Sequence, residues 1–92
     1  MPETGDRPPK DFQALRGLIA ERAESLPKRL SQVASYALAN PDEIAFGTVA
    51  SIAAEAAVQP STLVRFAHAL GYSGFSDLQE VFRSRLRERV LN

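Results

Sequence analysis

From Asp11 onward the apolar residues recur at the three-, four- and seven-residue intervals of helices, and no stretch alternates as a β-strand does. Phe12, Leu15, Leu18, Ile19, Ala23 and Leu26 form one stripe, and Asp11 ahead of them has the short acceptor side chain of an N-cap. Pro27 suits the first turn of a second helix, where its missing N–H would have no partner anyway; Leu30, Val33, Ala34, Ala37 and Leu38 supply the apolar side. Asn40-Pro41 ends that helix, because a residue before proline is pushed out of the helical region. Residues 42–47 read as a connector.

Thr48 is a suitable N-cap for a short third helix bearing Val49, Ile52, Ala53 and Ala56. The turn Ala57-Val58-Gln59 leads to Pro60 at the opening of a fourth helix, which runs through Leu70 to a Gly71 cap. After a loop at 72–75, Ser76-Asp77-Leu78-Gln79 has the S-x-x-Q form of a capping box and predicts a fifth helix with Leu78, Val81, Phe82, Leu86 and Val90 inward. The expected fold is all-α, a compact five-helix bundle over residues 11–92. Residues 1–10, with three prolines, a glycine and several charges, are expected to be a disordered lead-in.

A chain of 92 residues holds one small domain, and with 14 of its apolar residues being alanine the core is thin enough to gain from a partner. Eleven basic and eleven acidic side chains cancel, which excludes a strongly basic nucleic-acid coat and an acidic tail. The distribution is uneven: residues 1–57 carry a net −2 and residues 58–92 a net +2, so an anionic partner should meet the C-terminal half. Without cysteine there are no disulfides, thiol nucleophiles or cysteine zinc sites, and the single histidine, His68, removes paired-histidine metal sites. No nucleophile, base and metal set is tied together by a motif, so neither catalysis nor a cofactor is expected. The longest uncharged apolar-rich stretch, 44–54, is far short of a membrane span, and residues 1–10 lack a signal core, which makes the cytoplasm the default compartment.

The helices expected at 48–57 and 60–70 have the size of a helix-turn-helix, whose second helix enters the DNA major groove. Ala53 and Ala56 permit close packing of the pair, and Val58 can plug the turn into the core. On a wheel of about 100° per residue, Leu63, Phe66, Ala67 and Leu70 make one apolar face; Ser61, Arg65 and His68 lie opposite, with Thr62 and Val64 on the flanks. That polar face suits a groove. Arginine pairs bidentately with guanine, serine and threonine reach base edges or phosphates, and valine can touch a thymine methyl. An ordinary solvated face, with Arg65 paired to Glu55, is the bland alternative, and a helical protein-interaction module is the rival function. Salt-dependent binding to random DNA separates the two functions.

The order of residues also resembles a known family. Leu38-x-x-Pro41, Ile52-Ala53, Val58-x-x-x-Thr62-Leu63-Val64-Arg65-Phe66 and Leu70-Gly71-Tyr72-x-Gly74-Phe75-Ser76-x-Leu78 together are similar to the N-terminal helix-turn-helix domain of RpiR-type bacterial transcriptional regulators, over about residues 12–90. The resemblance implies sequence-specific binding of double-stranded DNA, at genes of sugar or sugar-phosphate metabolism; because one recognition helix in near-neutral surroundings covers only a few base pairs, a homodimer is expected. The expected DNA-contacting residues are Ser61, Thr62, Arg65 and His68 of the polar face together with the cap positions Thr48 and Gln59. The resemblance further implies a phosphosugar effector held by a sugar-isomerase-like (SIS) domain that these residues do not contain, so that the chain is expected to be a DNA-binding portion of a longer protein.

Two departures from the family pattern carry expectations. Gln59 stands where the family usually has a serine N-cap, which leaves either a weaker cap or a Gln59 free to read a base, and Ser51 replaces an acidic residue, which is expected to lose a capping box. Arg83, Arg85, Arg87 and Arg89, at a spacing of two, splay around the fifth helix and read as a solvated face partly paired with Glu80 and Glu88. Lys28 and Arg29, at the start of the second helix, are open between phosphate contact and plain solvation.

Overall fold

The computed structural model describes the backbone of residues 8–91 and the side chains of residues 8–86. Six α-helices and no strand occur among the described residues: α1 (Phe12–Arg22, continued by a 3₁₀ turn at Ala23–Ser25), α2 (Lys28–Ala39), α3 (Pro41–Phe46), α4 (Val49–Ala56), α5 (Pro60–Ala69) and α6 (Phe75–Leu91). The fold is all-α. Asp11 caps α1 as its side chain suggested, accepting from the Ala14 N–H at 3.0 Å.

The helices surround one apolar core. Leu15 and Ile19 of α1, Val33 of α2, Ile44 of α3, Ile52 of α4, Leu63 and Phe66 of α5 and Leu78 and Phe82 of α6 are essentially inaccessible to solvent. Each such side chain contributes about 1.5–3 kcal/mol of transfer free energy. Phe12 meets Phe82 edge-on, with ring centroids 5.3 Å apart. Leu38, expected on the inner side of α2, is partly exposed instead.

The expected connector at 42–47 is a helix. Pro41 occupies its first turn, Asp42 and Glu43 face its positive end, and Ile44 and Ala45 are buried. Six residues are too few to be stable alone, so the helix persists because α6 receives its carbonyls. Gln79 Nε2 donates to Ile44 O at 3.1 Å and to Gly47 O at 2.8 Å, and Arg83 Nε donates to Ala45 O at 2.8 Å. The expected capping box at Ser76 is therefore absent: α6 begins at Phe75, and Gln79 is buried between elements.

Of the arginines read as a solvated face partly paired with Glu80, Arg83 forms that pair, but it and Arg85 are also tied to α3. Arg83 meets Glu80 at 3.2 Å, while Arg85 pairs with Asp42 at 2.6 Å and sits over the Phe12 ring at 5.7 Å. Arg87, Arg89 and Val90 lie outside the described side chains. At the other end of the chain, Pro8 and Pro9, within the expected lead-in, meet the residues that follow α5. The Tyr72 hydroxyl donates to Pro9 O, and Pro8 packs over Gly71, whose φ of +99° suits glycine. Residues 1–7 lie outside the described residues.

Candidate nucleic-acid interface

Helix α4, the turn at Ala57-Val58-Gln59 and helix α5 form the helix-turn-helix, and each of its corners is held by identifiable bonds. At the start of α4, Thr48 Oγ1 accepts from the Ser51 N–H at 3.0 Å and Ser51 Oγ accepts from the Thr48 N–H at 3.0 Å. The capping box expected to be lost with the acidic residue is thus made by serine, whose shorter side chain still reaches back.

At the end of α4, Ala57 adopts the left-handed conformation (φ 62°, ψ 44°), and the Val58 N–H donates to Ala53 O at 2.9 Å. An alanine there costs about 1–2 kcal/mol relative to an ordinary helical residue. The Gln32 amide of α2 offsets this by donating to Ala56 O at 2.8 Å and Ala57 O at 3.3 Å. Ala53 and Ala56 are buried and Val58 packs partly against the core, as their sizes suggested.

Pro60 opens α5, preceded by Gln59 as an N-cap residue whose side chain makes no capping bond. Leu63, Phe66, Ala67 and Leu70 form the buried face. The C-terminal carbonyls are held from outside: Arg22 Nη1 donates to Ala69 O at 3.0 Å. His68 Nε2 lies 3.0 Å from Ser73 O. A carbonyl only accepts, so His68 carries its proton on Nε2 and ties α5 to the loop that follows it.

Of the six residues expected as DNA contacts, Thr48, Gln59, Ser61, Arg65 and His68 are exposed. Ser61, Arg65 and His68 share the outer face of α5 with Val64, which is partly exposed. Arg65 has no ion pair or side-chain hydrogen bond among the described residues, so the pairing with Glu55 is not formed. Glu55 acts instead on Tyr36, whose phenol is raised above its ordinary value first by burial, then by the charges of Glu43 and Glu55.

Thr62 departs from expectation. It is only 9% exposed and lines a cavity beside the turn, because α2 and the end of α4 cover the flank on which the helical wheel placed it. Arg22, Gln32 and Gln79 were not legible as positioning residues, since each acts on a carbonyl at least 24 residues away.

Comparison with known proteins agrees with this geometry. A family model, the helix-turn-helix domain of the rpiR family, matches residues 13–89. Among solved structures, the N-terminal domain of the assigned transcriptional regulator ybbH from Bacillus subtilis subsp. subtilis str. 168 is similar, with a TM-score of 0.70 and 29% identity. The match covers 74% of this chain and 83% of that one. No curated protein sequence matches significantly.

Proposed function

The chain belongs to the rpiR family of helix-turn-helix domains, the DNA-binding part of transcriptional regulators, and from that premise we propose that α5 reads an operator through Arg65. The carrying observation is that Arg65 stands on the outer face of a helix opened by Pro60 and held at its C-terminal end by Arg22, with no internal partner among the described residues. A guanidinium held this way loses no intramolecular bond on entering a major groove, where it can pair with guanine N7 and O6. Ser61 and Gln59 approach base edges from the helix start, and Val64 offers methyl groups to thymine. Thr48 marks the N-terminal end of α4, which suits a phosphate. His68, with Nε2 engaged, has only Nδ1 left to offer.

One such helix spans few base pairs and the chain carries no net charge, so a single copy gains little non-specific attraction. The operator is accordingly palindromic and is bound by a homodimer with recognition helices about 34 Å apart. In keeping with the family resemblance, the regulated genes serve sugar or sugar-phosphate metabolism in the bacterial cytoplasm, and the phosphosugar effector binds an SIS-type domain outside these residues. The domain itself acts by binding, with no catalytic step. No helix among the described residues is long and apolar enough to cross a membrane.

Selection of bound sequences from a random duplex library, followed by footprinting and sedimentation, tests the reading. A palindromic consensus protected by a dimer is expected. Binding that is absent at low salt would leave the protein-interaction alternative in its place.

A further inference from the structure

Beside the turn, a solvent-open cavity of about 320 Å³ lies between the start of α2, the end of α4 and the start of α5. Its lining is Arg29, Ala53, Ala54, Ala57, Val58, Gln59 and Thr62, so one cation and two polar side chains face it and no carboxylate does. Three features converge on it. Thr62, in the first turn of the ten-residue helix α5, lines it, and the positive end of that helix, uncapped by the Gln59 side chain, favours an anion. Thr62 is 91% buried, yet its hydroxyl has no hydrogen-bond partner among the described residues and is not sealed from solvent, so it opens into the cavity. Arg29 spends one guanidinium donor on a long 3.3 Å bond to Gln32 and keeps the others available.

We infer that this cavity is an anion site that seats one backbone phosphate of the bound DNA, with Arg29 neutralising the charge and the Thr62 hydroxyl donating to a phosphate oxygen. The inference rests on the DNA-binding reading and extends it to a residue outside the helix-turn-helix. Position supports it: on the wheel of α5, Thr62 lies about 60° from Arg65, so the cavity flanks the face assigned to the bases. A groove-bound helix has phosphates along both flanks, and phosphate contacts set register while base contacts specify sequence.

The test uses a random-sequence duplex of about 30 base pairs, with affinity measured between about 50 and 200 mM salt. Arg29→Gln is expected to flatten the slope of log affinity against log salt by about 0.9, the contribution of one phosphate, while Arg29→Lys retains it. Thr62→Val, close to isosteric, is expected to lower affinity about 3- to 10-fold with the slope unchanged. Inorganic phosphate at constant ionic strength should shift the Gln59 and Thr62 amide resonances in the wild-type protein but not in Arg29→Gln. Thermal melting checks that each variant is folded.

If wild-type protein binds the duplex and Arg65→Ala weakens it while Arg29→Gln leaves the slope intact, the phosphate seat is overturned and the DNA-binding reading stands. Phosphate-induced shifts alongside an unchanged duplex slope would assign the cavity to a small free phosphoanion and overturn the DNA contact. A wild-type protein that binds no duplex removes both readings.

Discussion

The Gln79 side-chain amide of α6 donates to the Gly47 carbonyl at 2.8 Å, across 32 residues of sequence, and so anchors the residue immediately before the Thr48 cap of the helix-turn-helix. Because the same amide also serves Ile44, one buried side chain closes both α3 and the entry to α4. Replacing it with leucine removes the donor and leaves two carbonyls short of a partner. Gln79→Leu is expected to lower stability by about 2–3 kcal/mol, measured by urea denaturation. A loss within experimental error of zero would mean that water takes over both carbonyls.

Gly47 itself is required for space rather than for conformation, since its φ of −77° is open to any residue. A Cβ there would stand 2.7 Å from Glu43 O and 2.8 Å from Ile52 Cγ1. Gly47→Ala should therefore destabilise by about 1–3 kcal/mol. Gly17, inside α1, has nothing within 4 Å of its Cβ position, so Gly17→Ala should stabilise by about 0.5–1 kcal/mol. Opposite signs in the two melts are the expected result.

Burial pushes the Tyr72 phenol up to about 12, while its hydroxyl donates to Pro9 O. The folded state thus holds this proton more tightly than the unfolded chain, whose tyrosine titrates near its ordinary value of 10.0. Stability from this group is fully present below that value and is lost as pH rises through the interval to about 12. Tyr72→Phe should be less stable at neutral pH and should show a shallower decline in that alkaline window, which denaturation at a series of pH values will report.

Arg65→Ala should weaken operator binding by about 1–3 kcal/mol where the side chain reads a base, with the melting temperature unchanged. The separation follows from its lack of an internal partner among the described residues. Phe66, its neighbour, is fully buried, and Phe66→Ala should cost about 3–5 kcal/mol of stability, enough to unfold much of a domain this small. A folded Phe66→Ala protein that merely fails to bind DNA would contradict the core assignment.

Much of this molecule was legible in its residues alone, because much of it is local. Apolar spacing placed α1, α2, α4, α5 and α6, Asp11 and Thr48 marked two caps, Pro60 marked the start of α5, and the wheel set Phe66 inward and Arg65 outward. All of these depend on neighbours within a turn or two of helix. Tertiary structure decided what one helix does to another. The segment at Pro41–Phe46 is too short to be helical unaided and became so because Gln79 and Arg83 arrive at its carbonyls from α6. Gln79 matched a capping pattern and Arg85 a solvated spacing, yet packing gave each a different partner, and it set Thr62, read as a flank of the groove-facing side, into a cavity beside the turn. The carbonyl that needs a donor, the carboxylate that needs a cation and the helix that covers a flank all lie elsewhere in the chain, and only folding brings them within reach.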